Sequence, residues 1–568
     1  MIYSSPISLP DYPSNLAVML NEMRDRLPHQ VVYQERKTDT YLPVTWSVFH
    51  QEICALQAGL QSLSLSKGDR VAILSRNCRE MLEIELAVMS MGAISVPIFA
   101  GYPCEQANRL IEYCDPKIVV VADQNQFDKI DNPGRYSTII HFTPIKSNKN
   151  TKTISFEHLL STTNHSGILG LDLAPQTTTL MMYTSGTMGI PKCVQLTHQN
   201  ILSQQAAMKV LWKLDHHDRF LSFLPWHHSF GGIFEKFAAI TSGATLSLEH
   251  SYGKNIDLLL DNWDKVRPTV FFSVPRIYQE ITSRLAQDSK LEEMIFHSEL
   301  RFIFTAAAPL PKNISDIFQS HGTPIIEGWG LTETSPCCTI TDPKEKRLPG
   351  IVGKPIPGVS ISLADDGEIR IKGPNVMQGY YKNDKSNEAA FTDDGWFNTG
   401  DVGEFTDIGL RLISRKDRIF KLTNAEKVVP TEIENLITKD CSYLSHAYVV
   451  GSGKDHPVAL LFPNKSLFSN LPKVSQLKSG CVCPRNLQDF SSCLTNCLHL
   501  LNGDMDIKFN RVKKAMLIDR ELSIENEELT PSMKLAPNVV GKVFKANIEY
   551  LYGSDGIISD TVYVLNLE

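Results

Sequence analysis

This 568-residue chain lacks a basic excess, a long apolar run and an export signal. Its 56 Lys and Arg residues are outnumbered by 63 Asp and Glu residues. The resulting net charge of −7 argues against a general nucleic-acid binder, because phosphate neutralisation needs a basic face. The longest apolar stretch, 86–100, contains Pro97 and is too short to span a membrane. The N-terminus has neither a basic start nor an apolar core, so we expect a cytoplasmic protein rather than a secreted one.

Cysteine is present but follows neither a disulfide nor a metal-binding pattern. The 12 cysteines are irregularly spaced, which favours reduced thiols in a cytosolic protein. The nearest approach to a zinc motif is Cys481-x-Cys483 followed by Cys493 and Cys497, and its first pair is spaced too closely. Cys497 also falls on an apolar helical face. We therefore expect core or surface thiols.

The composition is that of a globular protein, with 42% hydrophobic and 21% charged residues. The length predicts either three or four domains or one large domain with a smaller one. Strand and helix signals alternate between residues 70 and 122, which predicts a parallel sheet covered by helices. The turn after the first of these strands reads SRNCRE. Because it contains no GxGxxG, a dehydrogenase-type dinucleotide fold is disfavoured.

The second half of the chain is richer in β signals. The sequence ADDGE at 364–368 predicts a hairpin turn, and a further β segment covers 396–413. The charged run SRKDR at 414–418 follows and indicates a domain boundary. Beyond it, 447–450 and 458–462 are predicted strands, and an apolar helical face covers 487–501, with Asn502-Gly503 as its stop signal.

The strongest local feature is YTSGTMGIPK at 183–192, which follows an apolar strand signal. Its glycines and hydroxyl residues can present backbone N–H groups and Oγ atoms to a polyphosphate. Lys192 adds positive charge, but Pro191 precedes it and Cys193 follows it, so this is not a Walker A loop. From composition alone, a polar surface loop stays the simpler interpretation.

The longer segment YTSGTMGIPKCVQLTH resembles the phosphate-binding signature of the adenylate-forming superfamily, which includes acyl-CoA synthetases, luciferases and peptide-synthetase adenylation domains. Other segments match that superfamily in its own order: LPWHHSF at 224–230, EGWGLTETSP at 327–336, GWFNTGD at 395–401, KLTNAEKVVPTEIE at 421–434 and LTPSMKLAPNVV at 529–540. The segments SVPRIYQEI at 273–281 and LPWHHSFGGIFEKF at 224–237 are most similar to long-chain fatty acyl-CoA synthetases, and LTPSMKL also follows that branch.

The resemblance implies an α/β fold with a large N-terminal domain and a small mobile C-terminal domain. We expect a large multi-layer N-terminal domain over 1–413, with parallel-rich sheets, a β subdomain, the AMP site and an acyl pocket. A hinge at 414–418 and a small α+β lid domain over 419–568 would follow. Chain length of the acyl group, oligomeric state and peripheral contact with a membrane are left open by the sequence.

The implied reaction has two halves. A fatty acid attacks ATP to form acyl-AMP and pyrophosphate, and coenzyme A then displaces AMP. Both reactants of the first half are anions, so the site must supply positive charge and fixed donors where charge develops, and the resemblance implies Mg²⁺ as a cofactor. Two alternatives stay open: an acyl-AMP ligase that loads a carrier-protein phosphopantetheine, and a catalytically weak lipid-binding or partner-binding protein that retained the fold.

The resemblance also implies roles for individual residues. Lys534 would bridge the substrate carboxylate and the α-phosphate, Thr332 would hydrogen-bond that phosphate, and His228 would lie between the acyl and nucleotide sites. Glu333 and Thr184 would bind Mg²⁺, whose preferred ligands are hard oxygen atoms. The phosphates would be held by Thr184, Ser185, Gly186, Thr187, Gly189 and Lys192.

Further implied contacts complete the nucleotide site. Asp401 would accept hydrogen bonds from the two ribose hydroxyls, assisted by Arg415, and Trp226 would gate the acyl channel. The adenine would lie beside Ala307, Ala308, Pro309, Trp329 and Gly330, with the Trp329 indole stacked on the base.

The chain departs from the family pattern at several positions. Met188 replaces a hydroxyl residue, Cys193 replaces a usual glycine, and Ser414 stands where Asp or Gly is common. Ala425 replaces the usual glycine of a loop beside the pantetheine path, where a methyl group restricts the backbone. These departures bear more on thioester formation than on adenylation.

Overall fold

The computed structural model describes residues 2–161, 167–184, 192–285, 289–306, 310–345, 347–348, 350–439, 441, 443–465, 484, 486–530, 534–553 and 562–567. They form a large N-terminal part with two extended sheets and a smaller C-terminal part with its own sheet and core. The expected mixed α/β class, with a large and a small part, is confirmed. A search of the described helices finds none with the length and apolar character needed to cross a membrane.

One N-terminal sheet has eight strands among the described residues. Its strands Arg70–Ser75, Ile94–Phe99 and Ile118–Val121 are parallel and almost wholly buried, as runs of apolar residues predict. In spatial order the strands are Gly379–Tyr380, Lys192–Thr197, Thr178–Thr184, Ile94–Phe99, Arg70–Ser75, Ile118–Val121, Thr138–His141 and Thr153–Ser155.

The other N-terminal sheet has fourteen strands in the part of the chain that the structure describes. Strands Arg219–Ser222, Val270–Ser273, Phe302–Thr305 and Ile325–Gly330 are parallel, so their carboxyl ends share one edge. The order is Ile2–Ser4, Ser360–Leu363, Glu368–Lys372, Phe397–Thr406, Gly409–Arg415, Ile351–Pro355, Cys337–Ile340, Ile325–Gly330, Phe302–Thr305, Val270–Ser273, Arg219–Ser222, Thr245–Leu248, Val31–Lys37 and Thr40–Thr45.

The hairpin predicted from ADDGE is confirmed. Strands Ser360–Leu363 and Glu368–Lys372 pair antiparallel, and the turn is closed by a hydrogen bond from the Ala364 N–H to the Glu368 carbonyl at 2.9 Å. Gly367 supplies the turn with a φ of 84°, which a residue with a Cβ adopts only with strain.

Helices cover the sheets. The helices predicted within residues 70–122 form as Arg79–Ser90 and Cys104–Cys114. The other helices of the N-terminal part are Leu16–Arg26, Trp46–Ser62, Gln124–Phe127, Phe156–Leu160, His198–Trp212, Lys236–Ser242, Ile256–Val266, Pro275–Leu285, Ser289–Ile295, Lys312–Ser320 and Asp384–Ala390, with a π-helix at Phe230–Glu235 and 3₁₀ turns at Pro133–Arg135 and Thr332–Thr334.

The C-terminal part begins after Arg415, the last residue of the fourteen-stranded sheet's strand Gly409–Arg415. A short hairpin, Phe420–Lys421 with Lys427–Val428, precedes a sheet ordered Leu444–Val450, Val458–Pro463, Lys514–Ile518 and Val562–Asn566. Its helices are Pro430–Thr438, Leu487–Asp504, Pro537–Val543 and Lys545–Leu551, with a 3₁₀ turn at Lys508–Asn510.

The helix Leu487–Asp504 runs through the predicted stop signal. The Asn502 side chain donates to the Val512 carbonyl at 2.7 Å and accepts from the Val512 N–H at 3.1 Å. This pairing ties the last helical turn to the segment before strand Lys514–Ile518. A tertiary contact therefore extends the helix past a residue pair that locally favours its end.

Candidate active site

The phosphate motif connects two strands near one end of the eight-stranded sheet, where Gly379–Tyr380 is the edge strand. Strand Thr178–Thr184 pairs antiparallel with Lys192–Thr197, which places Thr184 opposite Lys192. The Thr184 hydroxyl donates to the Lys192 carbonyl at 3.5 Å. The connecting residues, which include Ser185, Gly186, Thr187 and Gly189, lie outside the described residues, as do Ala307, Ala308 and Pro309.

A chain of contacts joins this hairpin to Glu333. The Lys192 ammonium lies 4.6 Å from the centroid of the Tyr380 ring, and the Tyr380 hydroxyl donates to Glu333 Oε1 at 2.9 Å. Burial and the neighbouring Glu333 carboxylate raise the pKa of Tyr380, so its hydroxyl keeps its proton. The sequence motifs did not single out Tyr380; the only signal was its place in the GYYK segment after the β region.

Glu333 and Thr184 fit the hard-oxygen chemistry of a Mg²⁺ site. Tyr380 orients the Glu333 side chain by a hydrogen bond to Oε1 and leaves Oε2 for another partner. A carboxylate fixed by a neighbouring donor is the usual arrangement around a bound metal ion. The Glu333 carboxylate and the Thr184 hydroxyl are therefore the kind of oxygen ligands that suit Mg²⁺, the ion implied by the family resemblance.

Thr332 and His228 follow two parallel strands of the fourteen-stranded sheet at their carboxyl ends. Thr332 comes after Ile325–Gly330, and the His228 segment comes after Arg219–Ser222. The Thr332 hydroxyl lies 3.1 Å from the Ser229 hydroxyl, so the two motifs are in contact. Carboxyl ends of parallel strands are where open α/β sheets bind ligands. Ser229 lies in the LPWHHSF motif, but the sequence assigned it no role.

Glycine is needed at position 330. A Cβ built there would lie 1.7 Å from the Pro336 carbonyl oxygen, so no larger residue fits without moving the backbone. The close approach brings the segment after Ile325–Gly330 back against strand Cys337–Ile340.

His228 is neutral at physiological pH. Burial, and secondarily the positive charge of Lys534, lower its pKa to about 4. Its Nδ1 accepts a hydrogen bond from the Phe230 N–H at 3.3 Å. The adjacent His227 packs against Phe99 with ring centroids 4.6 Å apart, and burial lowers its pKa to about 3.

Asp401 is held by two donors at the ribose end of the predicted site. It pairs in register with Arg415, whose Nη1 donates to Asp401 Oδ1 at 3.1 Å. The Trp329 indole N–H donates to Oδ2 at 3.0 Å. Burial raises the pKa of Asp401, while Arg415 and the Trp329 hydrogen bond oppose that rise. The indole edge of Trp329 is therefore directed at this carboxylate.

Lys534 comes from the C-terminal part and lies beside these N-terminal groups. Its charge lowers the pKa of His228 and helps to lower that of Asp401. Lys534 keeps solvent contact, yet protein atoms around its ammonium group lower its own pKa, an effect that Asp401 opposes. Lys534 is thus within electrostatic range of His228, Asp401 and Arg415.

Trp226 is fully buried. Its backbone N–H donates to Asn77 Oδ1 at 3.0 Å, and the Lys236 ammonium lies 5.3 Å from its ring. Lys236 in turn pairs with Glu85 at 2.5 Å, and both side chains are fully buried. A Cβ on Gly232 would lie 2.0 Å from the Trp226 carbonyl oxygen. The indole is therefore enclosed by fixed neighbours, and its gating role stays a prediction.

Residues 23–381 match the family model described as AMP-binding enzyme, and residues 417–555 match its C-terminal domain. The chain belongs to the AMP-binding enzyme family. The resemblance to adenylate-forming enzymes drawn from the motifs is thereby confirmed.

Named relatives cover nearly the whole chain. The long-chain-fatty-acid–CoA ligase FadD15 of Mycobacterium tuberculosis is 25% identical over 95% of this chain and 97% of its own length. The peroxisomal long chain acyl-CoA synthetase 7 of Arabidopsis thaliana is 25% identical over 96% of this chain and 87% of its own. Among solved structures, ATP-bound MatB from Rhodopseudomonas palustris matches the fold with a TM-score of 0.75, at 22% identity over 94% of this chain and 99% of its own.

Proposed function

We propose that this chain is an ATP-dependent, Mg²⁺-requiring fatty acyl-CoA synthetase that works through an acyl-adenylate. The observation that carries the proposal is the approach of Lys534, from the C-terminal part, to His228 and the Asp401–Arg415 pair of the N-terminal part. Adenylation needs a cation where carboxylate and α-phosphate meet, because both carry negative charge. Lys534 supplies that cation beside the groups expected to hold the nucleotide.

The other residues position the reactants. Asp401 accepts from the ribose hydroxyls, and Thr332 donates to the α-phosphate. Lys192, with the loop before it, binds the outer phosphates. Glu333 and Thr184 would hold Mg²⁺, which when bound neutralises phosphate charge. Neutral His228 adds no positive charge of its own at the mouth of the acyl site.

The second half requires the C-terminal part to change orientation, and contacts on either side of Asp417 support a pivot there. Lys416 is anchored to the N-terminal part, because its ammonium lies 2.7 Å from both Asp366 and Glu368. Arg418 is anchored to the C-terminal part through Glu434. We therefore retain 1–413, 414–418 and 419–568 as the proposed domains, with the motion concentrated at the middle of the hinge.

A fatty acid is proposed as the substrate because the named relatives are long-chain-fatty-acid–CoA ligases and acyl-CoA synthetases over nearly their full lengths. Coenzyme A is proposed as the thiol acceptor for the same reason. A carrier-protein phosphopantetheine would use the same adenylation residues, so the acceptor has to be tested separately.

The decisive experiment measures ATP–pyrophosphate exchange with carboxylates of increasing chain length, followed by CoA addition and product identification. Exchange with fatty acids and formation of acyl-CoA are expected. Exchange without acyl-CoA, but with loading of a carrier protein, would replace the acceptor. Absence of exchange with every acid, in folded protein supplied with Mg²⁺, would refute the proposal.

Lys534→Ala supplies the matched test of mechanism. We expect acyl-AMP formation to fall by about a hundredfold or more, because a preorganised charge is lost, while preformed acyl-AMP still reacts with thiol. Lys545→Ala is the control, since Lys545 is 75% exposed in the same part of the chain. Equal loss of both half-reactions in Lys534→Ala would contradict the assigned role.

A further inference from the structure

The segment that leads to Lys534 is built around a buried carboxylate. Glu528 is 1% exposed and accepts from Arg520 Nη1 at 2.8 Å, Arg520 Nη2 at 2.5 Å and the Ser523 N–H at 3.2 Å. The Arg520 guanidinium also lies 4.7 Å from the Phe544 ring. These bonds are charge-assisted and partly buried, so they fix residues 523–528 as a rigid unit.

The same unit is tied to the lysine by backbone bonds. The Thr530 N–H donates to the Lys534 carbonyl at 2.8 Å, and the Ala536 N–H donates to the Glu528 carbonyl at 2.8 Å. Leu529 and Leu535 form an isolated β-bridge between them. A displacement of the 527–528 corner is therefore transmitted to Lys534.

Glu527 stands at that corner and faces the N-terminal part. Its Oε1 lies 3.7 Å from Nη2 of Arg109, which belongs to the helix Cys104–Cys114. Glu527 has a φ of 57°, a conformation that glycine adopts more easily than glutamate. A non-glycine backbone kept in this region is a reason to look for a functional role.

Tyr102 of the N-terminal part is also close enough to Glu527 for its pKa to be affected. Burial, and secondarily the Glu527 carboxylate, raise the pKa of Tyr102 to about 12, while Arg109 opposes the rise. Tyr102 also packs edge-on against Phe99, which in turn contacts His227. The N-terminal surface that receives Glu527 is thus continuous with the histidine pair of the candidate site.

We propose that Arg109 and Glu527 are positioning residues that bias the C-terminal part toward the orientation in which Lys534 reaches the adenylation site. This inference rests on the proposed function. The two side chains are 46% and 48% exposed, so their attraction is screened by water and shifts the balance of orientations by up to about fivefold. A weak bias suits a domain that has to leave this orientation in each turnover.

Reversing each charge singly, and then swapping the two charges in a double variant, tests the Arg109–Glu527 pair. We expect Arg109→Glu and Glu527→Arg each to slow acyl-AMP formation by about two- to fivefold, and the double variant to regain the wild-type rate. Reaction of preformed acyl-AMP with CoA should be unchanged or faster in the single variants. The control is Arg135→Glu, because Arg135 pairs with Glu112 of the same helix at 2.8 Å and makes no contact with Glu527.

Trypsin cleavage provides a readout that needs no substrate, since the hinge contains Arg415, Lys416 and Arg418. Cutting should be about two- to fivefold faster in each single variant and normal in the double variant and in Arg135→Glu. Failure of the double variant to recover in either assay overturns the proposal, as does an equal effect of Arg135→Glu. If the wild type shows no exchange, the proposed function fails, and the cleavage rates alone then decide whether the pair holds the two parts together.

Discussion

The indole N–H of Trp329 donates to Oδ2 of Asp401 at 3.0 Å, while Arg415 holds Oδ1 at 3.1 Å. Each carboxylate oxygen is thus held by a different donor, and each keeps lone pairs for further donors. A vicinal diol could bind this carboxylate without reorienting it. Tryptophan at this position supplies a donor that tyrosine would place differently, so the indole does more than offer a flat surface to a base.

Replacing Trp329 with Phe keeps an aromatic ring and removes the donor. We expect the KM for ATP to rise by about tenfold with a smaller change in kcat, because the hydrogen bond to a charged acceptor is lost. Steady-state kinetics of pyrophosphate release would measure this. Trp396→Phe is the control, since the Trp396 ring packs beside the Lys372 ammonium, 5.9 Å from its centroid, and the indole donor to Asp401 is that of Trp329. An unchanged KM for ATP in Trp329→Phe would show that Arg415 alone orients the carboxylate.

Tyr380→Phe removes the hydroxyl that donates to Glu333 and leaves the ring beside Lys192 in place. We expect the Mg²⁺ concentration needed for half-maximal adenylation to rise by about tenfold, the usual effect of losing a partner that orients a metal-binding carboxylate. A magnesium titration at fixed ATP would measure it. Tyr381→Phe, at the next position, should behave like the wild type. No shift in Tyr380→Phe would argue against Glu333 as a metal ligand.

The pH dependence of adenylation should lack a histidine limb near neutrality. The pKa of His228 is lowered to about 4, so the imidazole is neutral above about pH 5 and protonates only in more acidic solution. The rate should therefore change by less than about twofold between pH 6 and 8 from this group. Stopped-flow or exchange rates of the wild type and His228→Gln would test it. An acid limb near pH 6.5 that disappears in His228→Gln would contradict the buried, neutral imidazole.

Ala425 occupies a left-handed turn, with a φ of 65°, between strands Phe420–Lys421 and Lys427–Val428. Ala425→Gly relieves about 1–2 kcal/mol of backbone strain in the folded state. Glycine also gives the unfolded chain more freedom, which favours unfolding by about 0.4–1 kcal/mol. We expect a net gain in the free energy of unfolding of about 1 kcal/mol, measured by denaturant titration. Ala546→Gly, in the helix Lys545–Leu551, should instead lose about 1 kcal/mol. Loss of stability in Ala425→Gly would mean that the methyl group makes a contact worth more than the strain.

Patterns within a short stretch of sequence predicted much of the fold. The hairpin predicted from ADDGE at 364–368 forms as expected, because Gly367 favours a tight turn between the two strands. The extension of helix Leu487–Asp504 past Asn502-Gly503 was not predictable, since it depends on the pairing of Asn502 with Val512. Local propensity describes one segment at a time and has no information about a partner that folds beside it.

In the candidate site too, some residues could be predicted from sequence motifs and some contacts could not. Lys534, Asp401 and Glu333 stood in motifs whose order could be matched along the chain. Tyr380 lies outside the quoted motifs and could not be found, because its contact with Glu333 exists only in the folded chain. Ser229 lies within the quoted motif LPWHHSF, but its contact with Thr332 depends on a segment far away in sequence and could not be predicted from the motif alone.

The anchors on either side of Asp417 have a kinetic consequence. Since Lys416 belongs to one body and Arg418 to the other, reorientation needs changes in only a few torsion angles, and no strand has to detach from its sheet. In the proposed mechanism the two parts would therefore turn about Asp417 as preassembled bodies, on the microsecond-to-millisecond scale of rigid-body motion. The overall rate would then depend on chemistry and product release rather than on repeated local refolding.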